Sequence, residues 1–450
     1  MKVIALVDGE HYPPVTRWAL ASARAAGHDV LAALLVGGAE KLDAARSIDL
    51  GEVPVITGSD RPRAALASAI EELDPEGVLD LSDEPVMGYE QRMELIGVTL
   101  AAGIPYVGPD FWFDPPIVEA ALAAPTVAVI GTGKRVSKTA VAGHVARLAA
   151  ADGRRPVVVA MGRGGPPQPV VAGPEDVTVE ALLARVDRHE HAASDFLEDA
   201  LTARVPTVGA RRAGGGLAGR PFVTNVAAAA ARAVELGGDP VILEGSGAAV
   251  PTVPWDAGVL VAPASLPEHH LGGYLGPLRI LLSDLVVFIM GVGSHTGAEN
   301  LSTLHSSVRR LRPDIRIAVA ELQPVPLGDV RGKDVYLATT APLEVAQHLA
   351  HRLDETAGCR VVGVTSHLAD RAALAEELDG APAYEVLVTE LKAAAVDVAA
   401  KSAMARGAGV VFLDNRPTTA GGDGEVDDLI RQVVAAARER AATRMEHHEA

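Results

Sequence analysis

Residues 131–139 read Gly-Thr-Gly-Lys-Arg-Val-Ser-Lys-Thr. A glycine-rich turn ending in a Lys-Thr pair is suited to holding phosphate. Backbone N–H groups and the positive end of a following helix take the anion, the Lys138 ammonium reaches terminal phosphates, and the Thr139 hydroxyl binds Mg²⁺. Gly131, Thr132, Gly133, Arg135, Val136 and Ser137 complete that cradle around a nucleotide. Ser137 stands where such loops carry glycine, so its side chain bears on how well the loop binds nucleotide.

Other segments supply what such a loop needs. Val241-Ile-Leu-Glu-Gly-Ser-Gly247 sets Glu244 at the end of an apolar run, where an acid holds Mg²⁺ or its water. In His191-Ala-Ala-Ser-Asp-Phe-Leu-Glu-Asp-Ala-Leu201, Asp195, Glu198 and Asp199 share one helical face at i, i+3 and i+4. Asp195 is expected to serve a metal or a proton. Glu198 and Asp199 are expected to form a solvated acidic face, which the helix dipole favours. His189 and His191 could be ligands, but the commoner reading of such residues is plain surface.

Two Gly-Arg segments are candidates for an anionic substrate: Met161-Gly-Arg-Gly-Gly-Pro-Pro167 and Ala210-Arg-Arg-Ala-Gly-Gly-Gly216. Glycine lets backbone amides approach an anion, as at Gly215, and arginine grips phosphate oxygens in pairs. Arg163, Arg211 and Arg212 are the expected contacts; an exposed loop with solvated arginines is the competing reading, nearly as good for Arg211 or Arg212 alone. Gly291-Val-Gly-Ser-His-Thr-Gly297 either cradles a second phosphate, with His295 as donor, or is a tight connection. Glu321-Leu-Gln-Pro-Val-Pro-Leu327 is read as following a strand, placing Gln323 and Pro324 beside the nucleotide base. Lys392 stands alone on an Ala-rich helix face, as a substrate contact or a solubilising charge.

The elements that position these residues are α/β throughout. Strands are expected at 3–7, 30–36 and 77–81, alternating with helices at 15–25, 62–73 and 89–102. Asp8, Glu10, His11 and Asp83 lie at the ends of those strands, where they could cover the substrate or meet a partner subunit. The turn-rich 108–116 segment marks a boundary, giving an N-terminal open α/β domain over 1–118. A second unit over 119–450 has strand candidates at 126–130, 156–160, 240–243, 259–262, 285–289, 317–320 and 335–337. Helical patterns between them argue for a mostly parallel sheet flanked by helices. Strands at 361–364, 384–388 and 410–413 and a long charged helix from about 426 follow; a sub-lobe from about 358 and a continuation of the same sheet are both compatible.

At 450 residues the chain exceeds one ordinary core. No apolar run is long enough to span a bilayer, and the N-terminus reads as a first strand rather than a signal peptide. The single cysteine excludes an internal disulfide, so a cytoplasmic enzyme is the expected class. The net charge of −18 disfavours nucleic acid and anionic membranes as partners. An anionic ligand therefore needs its own local cations, and two of the few lysines, Lys134 and Lys138, fall in the opening motif.

Gly-Thr-x-x-x-Val-(Gly/Ser)-Lys-Thr, a later Ser-Asp on a helix, and Glu-Gly-x-Gly after a strand resemble dethiobiotin synthetase and other P-loop NTPase relatives. A longer collinear set resembles the cyclic 2,3-diphosphoglycerate synthetase family: Val7-Asp-Gly-Glu-His-Tyr-Pro-Pro14, Gly131-Thr-Gly-Lys-Arg-Val136, Gly162-Arg-Gly-Gly-Pro-Pro167, His191-Ala-Ala-Ser-Asp195, Arg211-Arg-Ala-Gly-Gly-Gly216, Glu321-Leu-Gln-Pro324 and Glu390-Leu-Lys-Ala-Ala-Ala395. The resemblance implies ATP-dependent closure of an intramolecular phosphoanhydride in 2,3-diphosphoglycerate, releasing ADP and phosphate. It implies that Thr139, Asp195 and Glu244 share Mg²⁺, that Lys138, Lys134 and Arg163 surround the transferring group, and that the protein is a homodimer. Another ATP-dependent ligase or kinase on a small anionic metabolite remains an alternative. A nucleotide-dependent switch is a third, but it usually has a lysine five positions before Lys138, where Gly133 stands here.

Overall fold

The computed structural model describes residues 1–38, 49–58, 60–291 and 295–449. Two sheets organise them. The first contains β1 (Lys2–Val7), β2 (Asp29–Leu35), β3 (Val55–Thr57), β4 (Gly77–Asp80), β5 (Tyr106–Val107) and β6 (Trp112–Phe113), in the order β3-β2-β1-β4-β5-β6. Its pairings are parallel except β5 with β6. The helices at Pro13–Ala25, Pro62–Leu73 and Tyr89–Ala101 fall where the periodicity predicts them.

The second sheet contains β7 (Thr126–Gly131), β8 (Val157–Gly162), β9 (Val170–Ala172), β10 (Thr207–Ala213), β11 (Val223–Thr224), β12 (Val241–Glu244), β13 (Ala257–Pro263), β14 (Leu285–Ile289), β15 (Arg316–Pro326), β16 (Asp334–Ala338), β17 (Arg360–Thr365), β18 (Val386–Thr389) and β19 (Gly409–Gly422). Their order is β11-β10-β8-β12-β7-β13-β14-β15-β19-β18-β16-β17, with β9 on β10. The central strands β8, β12 and β7 are buried along their whole length. Covered on both faces, parallel strands read as continuous Val/Ile/Leu runs, which is why the sequence reveals them.

The last strands continue this sheet. Residues Gly409–Phe412 of β19 run parallel to β18, and Leu413–Gly422 run antiparallel to β15. The helix Val426–Glu449 then returns across the sheet, burying Val426, Leu429, Ile430, Val433 and Ala437 in the core that also holds Val129 and Val141. Its basic residues pair with acids at the ends of other elements: Arg444 with Asp256, Arg440 with Asp284, Arg438 with Asp239 and Arg431 with Asp152. Among the described residues no helix is long and apolar enough to cross a membrane.

The N-terminal sheet packs onto the second unit through the helix Tyr89–Ala101. Gly97 allows a close approach there, since a Cβ would sit 3.0 Å from Leu278 N. Arg310 and Glu94 form an ion pair across the same seam.

Candidate functional site

Strand β7 delivers the Gly-rich turn and the helix Lys138–Ala151 continues from it. Gly131 must lack a side chain, because a Cβ would lie 2.8 Å from both Lys138 Cδ and Val136 Cγ2. The lysine stem therefore folds back over the strand end, and Lys138 Nζ donates to the Gly133 carbonyl at 2.8 Å. Burial lowers the Lys138 pKa to about 8, against the opposing pull of Glu244 and Asp195. Arg135 and Ser137 both take left-handed backbone, φ 61° and 70°. That conformation explains why glycine is usual at position 137; serine accepts it at a cost of about 1 kcal/mol. The Thr132 hydroxyl is buried without a hydrogen-bond partner among the described residues. Lys134 and Arg135 are exposed at the tip of the turn.

Glu244 ends β12, which lies between β8 and β7, so it shares the sheet edge with Gly131 as expected. Its Oε1 accepts the Thr139 hydroxyl at 2.8 Å. Asp195 is the first residue of the helix Asp195–Ala203. A Cβ on Gly162, at the end of β8, would lie 2.8 Å from Asp195 Oδ2, so that glycine admits the carboxylate. Asp195 acts electrostatically on Lys138, Arg212, Glu244 and Lys392 together.

The expectation of a solvated acidic face at Glu198 and Asp199 is wrong. The helix packs against β8 and β10, which puts Asp199 out of solvent altogether and leaves the Glu198 side chain 14% exposed. Burial pushes Glu198 up to about 7 despite Lys392. Burial and contact with Glu244 hold Asp199 well above the usual carboxylate range. Lys392 is not alone on a helix face either. It lies in the turn before the helical segment Ala395–Ala400, with Nζ 3.0 Å from Glu198 and 3.8 Å from Glu390. Glu198 is the main cause of its raised pKa, so it stays charged.

Arg211 and Arg212 end β10, a strand absent from the sequence reading. Arg212 donates to the carbonyls of Gly214 (2.6 Å) and Ser246 (2.7 Å) and lies beside Gly215. Burial lowers its pKa, and the field of Arg163 adds to that. Neither arginine forms an ion pair among the described residues. Arg211 instead holds the neighbouring segment, with Nε donating to Gly165 O at 3.0 Å. Asn225, which the sequence did not single out, ties the same parts together. It accepts from Arg211 N (2.7 Å) and donates to the carbonyls of Pro166 and Pro167.

Gln323 and Pro324 do not follow a strand; they lie within β15, opposite Arg416 and Asn415 of β19. Asn415 Nδ2 in turn donates to Glu390 at 3.2 Å, which sets this arm beside the Lys392 carboxylates. His295 begins the helix His295–Leu311, but its side chain and residues 292–294 lie outside the described residues. In the N-terminal sheet, Asp8 accepts from Glu10 N, His11 N and Asp83 N, so those strand-end residues bind one another's loops.

Residues 126–320 match the family model of the cyclic 2,3-diphosphoglycerate synthetase P-loop domain. Residues 2–114 and 326–416 match those of its N-terminal and C-terminal domains. The chain belongs to the cyclic 2,3-diphosphoglycerate synthetase family. It is 44% identical to the cyclic 2,3-diphosphoglycerate synthetase of Rubrobacter xylanophilus, over 99% of this chain and 100% of that one. Identity to the enzyme so named from Methanothermobacter thermautotrophicus is 41%, and to that from Methanothermus fervidus 40%, over 96% of each chain in both cases. Family membership therefore covers the phosphate loop, both Gly-Arg segments and the Lys392 turn in one alignment.

Proposed function

We propose that this chain closes the phosphoanhydride of cyclic 2,3-diphosphoglycerate, using ATP and 2,3-diphosphoglycerate and releasing ADP and phosphate. The observation that carries the reading is the second cationic wall. Beside a phosphate loop, Arg163 and Arg212 lie within each other's field and that of Lys138, and neither forms an ion pair among the described residues. One polyanion needs Lys138 and the loop amides; a second needs those arginines.

Two phosphates on adjacent carbons repel each other and are poor electrophiles. The γ-phosphoryl group passes to an oxygen of one substrate phosphate, and ADP leaves. An oxygen of the neighbouring phosphate then attacks the substrate phosphorus just activated, and inorganic phosphate departs with one substrate oxygen. The protein supplies position and charge. Lys138 holds the nucleotide phosphates, Arg163 and Arg212 hold the substrate phosphates together against their repulsion, and Arg211 and Asn225 fix the Arg163 loop. Lys134 and Arg135 sit at the mouth of the turn, where incoming anions pass. Gln323 and Pro324 border the base, and Lys392 meets the substrate.

The donor set fits Mg²⁺. Thr139 and Glu244 touch, Asp195 lies within the field of Lys138 and Glu244, and the buried Asp199 carboxyl beside Glu244 meets no other donor among the described residues. Mg²⁺ is commonly held by one or two carboxylates plus substrate phosphates, where it neutralises charge on the transferring group. The order of steps is tested with ¹⁸O-labelled substrate phosphates. Released phosphate carrying one labelled oxygen is expected; fully unlabelled phosphate would reject the phosphorylated intermediate.

A further inference from the structure

Arg279 is buried, yet it forms no ion pair among the described residues. Burial lowers its pKa to about 10, so it stays charged at neutral pH. A buried guanidinium is costly unless its donors are used. Here three main-chain carbonyls use them. Nη1 donates to Tyr274 O (3.3 Å) and Leu275 O (3.0 Å), just before Arg279's own helix, Gly276–Leu281. Nη2 donates to Ala248 O at 2.6 Å, in the turn that follows β12 and Glu244. Ser246 and Ala249 close that turn, each donating its N–H to the other's carbonyl (3.2 and 3.1 Å). Ser246 O also takes the Arg212 Nη2 donor at 2.7 Å. One side of a closed turn is therefore held by Arg279, and the other side holds Arg212. The chain returning from Gly216 meets the same place. Gly219, at φ 89°, accepts from Val250 N at 2.9 Å, and a Cβ on it would lie 3.1 Å from Ala248 O and 3.3 Å from Arg279 Nη2. Its neighbour Ala218 is buried with Leu95, Ile96, Leu275 and Leu278, in a cluster shared with the N-terminal sheet.

We propose that Arg279 is a positioning residue for the substrate: through the Ser246–Ala249 turn it sets where the Arg212 guanidinium stands, and it ties that setting to the seam with the N-terminal sheet. A carboxylate could hold Arg212 as firmly, but it would cancel the charge that a phosphate has to meet. Carbonyl acceptors fix the guanidinium and leave its charge available. The carbonyls must then be fixed themselves, and Arg279 does this from behind. The inference rests on the reading of Arg212 as a contact to 2,3-diphosphoglycerate. It gives the N-terminal domain a task in the reaction, as the footing of the second cationic wall.

Steady-state kinetics in a double-mutant cycle test this. Arg279→Met should raise the KM for 2,3-diphosphoglycerate about tenfold and leave that for ATP within about twofold. Arg279→Lys, which keeps a charged donor toward Ala248, should recover most of the loss. On an Arg212→Ala background neither substitution should raise the KM further, because the group that Arg279 positions is gone. An unchanged KM in Arg279→Met, a matched rise for both substrates, or a cost of about tenfold that persists without Arg212 would overturn the proposal. If Arg279→Met does not fold, the cycle is read with Arg279→Lys: about a threefold rise is expected with Arg212 present and none without it, and any other pattern rejects the proposal. An Arg212→Ala protein with the wild-type KM for 2,3-diphosphoglycerate would remove the reading of Arg212 and the proposal with it. A raised KM in Arg212→Ala beside a silent Arg279→Met would remove the proposal alone.

Discussion

Ser137 holds left-handed backbone at φ 70°, the conformation that glycine supplies in such loops. Ser137→Gly should therefore leave stability within about 0.5 kcal/mol, as relief of left-handed strain offsets the extra freedom of the unfolded chain. ATP affinity should hold as well. Ser137→Val, β-branched in that conformation, should weaken ATP binding about tenfold or more, measured by calorimetry. Thr139 and Glu244 were legible from type and spacing because each ends a recognisable strand-turn segment, and they touch. Asp199 could not be told from a solvated acid, since i+4 on a helix fixes a face but not what covers it. Lys138 carries a pH signature. Its folded pKa of about 8 lies below the ordinary lysine value of 10.5, so the ammonium is lost as pH rises through about 8. Between those values the unfolded chain binds more protons, so the burial penalty of Lys138 is full below pH 8 and shrinks above it. ATP affinity should fall above about pH 8 with a one-proton slope; a flat profile to pH 9.5 would show the lysine staying charged.

At the scale of elements, long parallel strands could be read and short or interrupted ones could not. Strand β10 was missed because Gly209 breaks its apolar run. That glycine is required by packing, since a Cβ there would lie 2.8 Å from the Phe196 ring. Its consequence reaches the site, because β10 aims Arg211 and Arg212 and supports the Arg163 loop. Gly165 lies so close to this strand that a Cβ would come within 1.9 Å of the Ala210 carbonyl oxygen. Gly165→Ala must lift the loop away. The KM for 2,3-diphosphoglycerate should rise by about tenfold or more while ATP affinity is kept. A matched loss of both would mean that the loop serves the nucleotide instead.

At the scale of the whole molecule, the sequence left open whether the last strands form a lobe or extend the sheet. Strand β19 answers this by pairing with β18 along one part and β15 along the other. Its second part was hidden by Pro417 and the Gly421-Gly422 pair, which interrupt a strand pattern in sequence but fit an antiparallel arm. Through β18 and the turn after it, the C-terminal strands bring Lys392 to Glu198 on the other side of the site. Lys392→Met should leave ATP binding intact but lower kcat/KM for 2,3-diphosphoglycerate by about tenfold or more. Equal loss of ATP affinity would make the lysine a general support of the site. The net charge of −18 makes these few converging cations the centre of the account. Phosphorus NMR of the protein with MgATP and 2,3-diphosphoglycerate tests it most directly. A cyclic anhydride should appear in step with ADP and phosphate, and vanish in Lys138→Ala. ATP turnover indifferent to 2,3-diphosphoglycerate, or a Lys138→Ala protein that still makes the anhydride, would contradict it.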